Sequence, residues 1–261
     1  MTFLRVCLKS NLQLLFRHAL SLIFFFIGNN GSLVTATSPD DLFLKANGAF
    51  VSGKYAEAIQ DDETLLKHRC YSVPIFYNLA NAYFRDGKVG FAILNYERAL
   101  WLAPRDADIK ANLQLARHRA GLFESTPVGW QALPGILRLD TWTWLVFLTF
   151  VFLCAAWSIH MFKMDVKWRI RPWMIFFGLL WIVSLVSATV RVFDLNRGVI
   201  LIPEAALRIA PLDNSPSFFN LPVGSIVHIQ KQRDGFFYLR TQDGKMGWVL
   251  KKQMQPIVPR T

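Results

Sequence analysis

Two uninterrupted apolar stretches, Trp142 to Phe162 and Trp173 to Phe193, constrain this chain more than any other feature. A helix over 142–162 rises about 1.5 Å per residue and so spans roughly 30 Å, the thickness of a bilayer's hydrocarbon layer. Its Leu, Ile, Val and Phe residues each favour insertion by about 0.3 to 0.6 kcal/mol, which outweighs the cost of His160 near the end. In the second stretch Arg191 lies close enough to the boundary to carry its head into the interface. The pattern predicts a transmembrane hairpin over 142–193.

Sidedness follows from charge. Between the stretches Lys163, Lys167, Arg169 and Arg171 oppose a single Asp165, while the segment before Trp142 has only Arg138 as a basic residue. The positive-inside rule therefore predicts a cytoplasmic loop at 163–172, with both flanking regions outside. Trp142 and Trp144 at one end, with Trp168 and Trp173 at the other, stand where aromatic belts form. No acidic partner accompanies Cys154 or His160, so neither is read as a proton or redox site.

Ahead of these stretches, Arg5, Lys9 and Arg17 precede an apolar run from Ala19 to Ile27, and small residues end in Val34-Thr35-Ala36. That order reads as a signal peptide over 1–36 cleaved after Ala36, with an uncleaved N-terminal anchor as the alternative. Both readings place residue 40 onward outside the cytoplasm.

The formal net charge is +11. Residues 37–125 hold eleven basic and eleven acidic side chains and contribute nothing to it. The surplus flanks the apolar stretches or follows them, which argues for membrane orientation and against nucleic acid as a partner. Cys7 and Cys154 fall in apolar segments, and no CxxC pair accompanies Cys70, so neither a disulfide framework nor a cysteine metal site is expected. The five histidines, at 18, 68, 118, 160 and 228, are scattered one to a region. With no phosphate loop, nucleophile elbow or HExxH motif, the expectation is no enzyme, no cofactor and no metal.

Residues 37–122 repeat. Gly53 and Gly87 are 34 residues apart, Ala46-Asn47 recurs as Ala80-Asn81, and Ala58-Ile59 as Ala92-Ile93. Thirty-four is the period of the tetratricopeptide helix pair. In the second copy, small residues at 80, 92 and 99 let antiparallel helices approach, large ones at 76, 83, 96 and 100 fill the gaps, and Pro104 stops the second helix. The first copy has Asp62 where an aromatic is usual, which predicts looser packing. Asp106 then caps a further helix to about Ala120, with Ile109, Leu113 and Ala116 on one face. In such arrays the first helices line a concave groove, and position-matching puts Asn47, Tyr77, Asn81 and Arg85 on it, where an asparagine can hold a peptide backbone through both donor and acceptor. The alternative is that these are interhelical or solvated polar residues of a spacer.

A linker at 123–141 and the hairpin separate this array from residues 198–258, where short alternating stretches are broken by turn residues. Five strands are predicted: Val199 to Ile202, Ala206 to Ile209, Ser225 to Lys231, Phe236 to Thr241 and Gly247 to Leu250. Asp234-Gly235 and Asp243-Gly244 are hairpin signals. Leu207-Arg208 with Pro211, Leu221-Pro222-Val223-Gly224, and Asp243 through Val249 look like a bacterial Src-homology-3-type (SH3-like) domain, a small closed barrel. Alternation turns Phe237 and Leu239 inward and puts Phe236 and Tyr238 on the outer face. With Trp248 they form a candidate ligand face for a peptide or a cell-wall strand; the alternative is that the aromatic pair covers a loop. Lys231, Arg233, Arg240, Lys251 and Lys252 read as a solvated basic face near lipid headgroups.

The combination of Asn78 to Asn81, Ala92 to Leu100 and Leu102 to Asp106 with a hairpin and a barrel resembles the BatE-type tetratricopeptide proteins of bacterial aerotolerance operons. The resemblance covers essentially the whole chain after the signal. It implies a role in a membrane complex with von Willebrand A-type Bat proteins and a MoxR-type ATPase, linked to envelope or oxidative stress. The sequence thus predicts a multidomain protein of the bacterial inner membrane: all-α tetratricopeptide repeats, a two-helix transmembrane hairpin and a small all-β SH3-like barrel, with both soluble parts periplasmic. Its expected role is a scaffold whose groove docks protein partners. A peptidoglycan-binding module held by its barrel is the alternative.

Overall fold

The computed structural model describes residues 38–123, 129–162 and 167–258. The expected signal segment 1–36, linker residues 124–128 and loop residues 163–166 lie outside the described residues.

Five helices come first: α1 (Pro39–Val51), α2 (Tyr55–Lys67), α3 (Val73–Arg85), α4 (Val89–Leu102) and α5 (Ala107–Arg119). The 34-residue period recurs in the caps. Ser38 Oγ accepts from Asp41 N at 3.1 Å, Ser72 Oγ from Ile75 N at 3.5 Å, and Asp106 Oδ1 from Ile109 N at 3.1 Å. Each cap satisfies one of the N–H groups that a helix start leaves open. α1 packs on α2 and α3 on α4 through links of three residues, at 52–54 and 86–88, in which Gly53 and Gly87 take φ of +75° and +80°. Ala80, Ala92 and Ala99 are completely buried, as their small size predicts, with Phe76, Tyr83 and Tyr96 packed around them.

A 3-10 segment, Gly129–Ile136, leads into α6 (Leu139–Phe162) and α7 (Lys167–Asp194), both long and apolar enough to cross a membrane. They pack together and leave large apolar side chains such as Trp144, Phe150, Ile175 and Leu179 more than half exposed. The polar residues Thr149 and Ser184 are buried, and their hydroxyls donate to Leu145 O (2.6 Å) and Leu180 O (2.8 Å), so neither is left unsatisfied. Two features add detail to the expected hairpin. Helix α7 starts at Lys167 and runs through Pro172, so residues 167–172 of the segment expected as a loop at 163–172 are helical; as the sixth helical residue Pro172 lies past the four open N–H groups of the helix start and forfeits one bond to the preceding turn. Trp142 is buried, its Nε1 donating to Pro134 O at 3.1 Å.

Seven strands follow in one antiparallel sheet of order β3-β2-β6-β5-β4-β1-β7. They are β1 (Arg197–Ile200), β2 (Ala205–Arg208), β3 (Ser217–Leu221), β4 (Ile226–Arg233), β5 (Phe236–Thr241), β6 (Met246–Leu250) and β7 (Met254–Pro256). Five match the predicted strands. β3 and β7, the two ends of the order, were not expected: β3 is exposed at most positions and lacks a burial alternation, and β7 has three residues. The sheet curls around a core that includes Ile200, Leu207, Val227, Phe237, Leu239 and Val249.

The sheet and the helical array share a core. Val199, Leu201 and Ile257 belong to the same buried cluster as Ile93, Leu94, Tyr96 and Ile109. Contact is close enough that a Cβ at Gly90 of α4 would lie 2.4 Å from Leu201 O, and one at Gly224 2.4 Å from Ile93 Cδ1. Five helices alone do not enclose their apolar side chains, and the sheet supplies the missing wall.

Candidate functional site: the faces of the helices and of the sheet

The first helix of each pair carries the residues singled out for docking, and three of the four bind neighbouring helices. Asn78 Nδ2 donates to Asn47 Oδ1 at 2.7 Å, joining α3 to α1. Asn112 Nδ2 donates to the Tyr77 hydroxyl at 2.7 Å, joining α5 to α3. Tyr96 Oη donates to Asn81 Oδ1 at 2.5 Å, joining α4 to α3, and the Tyr77 and Tyr96 rings meet edge-on at 6.1 Å. Asn47 and Asn81 accept through their oxygens, and their own N–H donors are not used in these bonds. Arg85, one turn beyond Asn81, is exposed and acts electrostatically on Tyr96. Burial first, and then Tyr77, raise the Tyr96 phenol, and Arg85 opposes them. The result is a polar ladder across α1, α3 and α5, with Arg85 one turn beyond Asn81 on α3.

Asp62 stands 34 residues before Tyr96. It is 1% exposed, its Oδ1 has no hydrogen-bond partner among the described residues, and burial, followed by the neighbouring Asp61, pushes its carboxyl up to about 7. Asp61 is held by Lys45 Nζ at 2.9 Å. Where the second pair has a phenol long enough to reach Asn81, the first has a short buried acid.

A cavity of about 310 Å³ opens between α2, α3, α4 and β7, with Tyr71, Phe76, Tyr83 and Phe91 among its walls. Tyr83 donates to Glu63 there. Arg98 closes one side: its Nε donates to Ile257 O and its Nη2 to Pro256 O, both at 3.1 Å, and its guanidinium lies 5.9 Å from the Phe76 ring centre. Burial lowers the Arg98 pKa to about 10, so it remains a cation at neutral pH. These bonds make Arg98 the latch of β7 on the helices.

At the junction with α7, Glu97 accepts from Arg117 at 2.5 Å and lies 4.0 Å from Arg197, which is 3.8 Å from Asp194. Arg191, expected to reach the interface freely, is buried with its guanidinium 4.0 Å above the Trp101 ring and 3.9 Å from Asp194. Desolvated charges need such partners, and together they tie helix α7, strand β1 and the helical array at one point. No spacing signal marks this cluster in the sequence.

On the sheet the three candidate ligand-face residues diverge. Phe236 is buried at 5% exposure and offers little surface. Tyr238 and Trp248 are paired across β5 and β6, half-buried, with ring centres 5.1 Å apart. Of the basic residues, Arg233 pairs with Asp234 at the hairpin tip, Lys251 and Lys252 lie in a 3-10 turn, and Lys231 and Arg240 flank the aromatic pair by register. Among the described residues no three His, Cys, Asp or Glu side chains come together as a metal site. No family model matches the chain, and no curated protein is found to be similar to it.

Proposed function

We propose that the chain is a membrane-anchored scaffold of the tetratricopeptide kind, with α6 and α7 crossing the bacterial inner membrane and the helical array and SH3-like barrel on the periplasmic side. The observation that carries this reading is the polar ladder Asn47, Tyr77, Asn81 with Arg85 on successive first helices, built on a 34-residue period, in which the Asn47 and Asn81 amide donors have no partner among the described residues and can take a partner's backbone carbonyls. The partners proposed are von Willebrand A-type Bat membrane proteins in an aerotolerance or envelope-stress complex, as the resemblance to BatE-type proteins implies. In that reading the chain holds partners and performs no chemistry of its own.

Affinity purification of the full chain from native membranes in mild detergent tests it. Asn81→Ala and Arg85→Ala are expected to lose a stoichiometric membrane partner while the chain remains folded. Because Asn81→Ala also removes an acceptor from Tyr96, Arg85→Ala is the cleaner arm. Retention of every partner by Arg85→Ala and Asn81→Ala together would sink the groove assignment.

A further inference from the structure

Strand register builds a second face that the scaffold reading leaves without a role. On the side of the sheet turned away from its own core, Arg197 of β1, at the junction with the helical array, is opposite His228 of β4, His228 opposite Arg240 of β5, and Arg240 opposite Met246 of β6. A parallel row, past the irregularity in β4, runs Lys231, Tyr238, Trp248. The inner positions of the same strands, Val227, Ile229, Leu239 and Val249, are in the core, so these side chains point away from it. Strands β4, β5 and β6 contain no acidic residue. His228 responds to its place: burial, then Arg197, lower its pKa, with Arg240 adding to them against Asp194. Arg240 forms no ion pair among the described residues and is exposed, as is Met246 at 46%.

The face is also placed. Only Leu195 and Asn196 separate α7 from β1, and Asn196 O accepts from Ile229 N at 2.7 Å, which fastens β4 to the end of that helix. At about 4.8 Å per strand step, Arg240 stands roughly 10 Å across the sheet from Arg197, within one Debye length of the surface from which α7 emerges. A Trp–Tyr pair set among cations is the composition that settles at a bilayer's headgroup level.

We propose that the outer face of β4, β5 and β6, with Lys231, Arg240, Tyr238, Trp248 and Met246 at its centre, docks on the anionic phospholipid headgroups of the membrane that α7 leaves. The inference rests on the proposed crossing by α6 and α7. Docking on lipid orients the helical groove at a set angle to the membrane, since groove and sheet share one core.

The test uses the full chain in nanodiscs of phosphatidylcholine, alone or mixed with phosphatidylglycerol. A nitroxide is attached through Met246→Cys, with the native cysteines replaced, and its exposure to a water-soluble nickel chelate is read. Protection is expected in the phosphatidylglycerol discs, and Lys231→Gln with Arg240→Gln should shift the docked population by about fivefold for each charge removed. Unchanged circular dichroism of this variant shows that the loss is not unfolding. Equal exposure in both discs, or protection indifferent to the double variant, overturns the inference. So does protection in phosphatidylcholine discs brought on by inorganic phosphate, which marks a free-anion site, or by purified sacculi, which marks a wall polymer. Alkaline carbonate extraction of native membranes separates the two failures: release of the chain sinks the membrane crossing, whereas retention without lipid-dependent protection sinks only the docking face.

Discussion

A methyl group added at Gly90 probes whether helices and sheet are one unit. In Gly90→Ala the new Cβ falls 2.4 Å from Leu201 O and 2.8 Å from both Leu201 C and Val223 Cγ2. Heavy atoms in ordinary contact stand about 3.5 Å or more apart, so α4 and the chain at Leu201 must part by about 1 Å. The obstacle is backbone, and no rotamer change relieves it. Overpacking of this kind costs about 1 to 3 kcal/mol, and the rigid obstacle favours the upper part of that range. Helix propensity works the other way, because alanine is better than glycine inside a helix by about 0.8 to 1 kcal/mol. The expected balance is a loss of about 1 to 2 kcal/mol. Gly48→Ala is the control: Gly48 is helical, in α1, and among the described residues nothing lies within 4 Å of the point its added methyl group would occupy. That substitution should stabilise by up to about 1 kcal/mol. The assay is thermal unfolding of the full chain in detergent, with hydrogen exchange across Val199 to Leu201 to locate the loosening. If Gly90→Ala raises Tm as Gly48→Ala does, the shared core is wrong.

Two further outcomes follow from buried polar groups. The Asp62 carboxyl sits at about 7 in the folded chain against an ordinary 3.8, so the folded state holds its proton more tightly and stability from this group is lost as pH rises through 4 to 7. Asp62→Asn should therefore gain on the wild type between pH 4 and pH 8, by an amount on the order of a few kcal/mol, and a Tm difference that stays flat with pH would refute the burial. Arg98→Met removes the donors to Ile257 O and Pro256 O; the loss should be about 1.5 to 3 kcal/mol, with faster hydrogen exchange confined first to residues 254–258. Slow exchange there in the variant would show that β7 does not depend on the guanidinium.

What could be read in advance was whatever depends on neighbours in sequence. The cap at Asp106, the alanines at 80, 92 and 99, and the hairpin at Asp234-Gly235, where both residues take positive φ, are all local or periodic. The candidate site was legible only by position. Asn47, Tyr77 and Asn81 were placed on the first helices by period, but nothing in the pattern distinguishes a side chain facing a partner from one bonded to Asn78, Asn112 or Tyr96. Phe236 shows the same limit. Alternation put it opposite Phe237, yet both are buried, because alternation assigns sides of a strand and not what covers them.

By itself the sequence determined the elements: two helices long and apolar enough to cross a membrane, a run of amphipathic helices on a 34-residue period, and a set of short strands joined by tight turns. Each of these follows from hydrophobic spacing and turn chemistry, which act over a few residues. The tertiary structure alone decided that the array and the sheet close one core through Val199, Leu201 and Ile257, that Arg98 latches the last strand, and that Glu97, Arg197, Asp194 and Arg191 meet at the end of α7. Most of those contacts join residues far apart in the chain, as Arg98 joins Ile257 across 159 positions. Their partners are selected by shape and by the need to satisfy buried charge, and neither leaves a periodic trace in the chain.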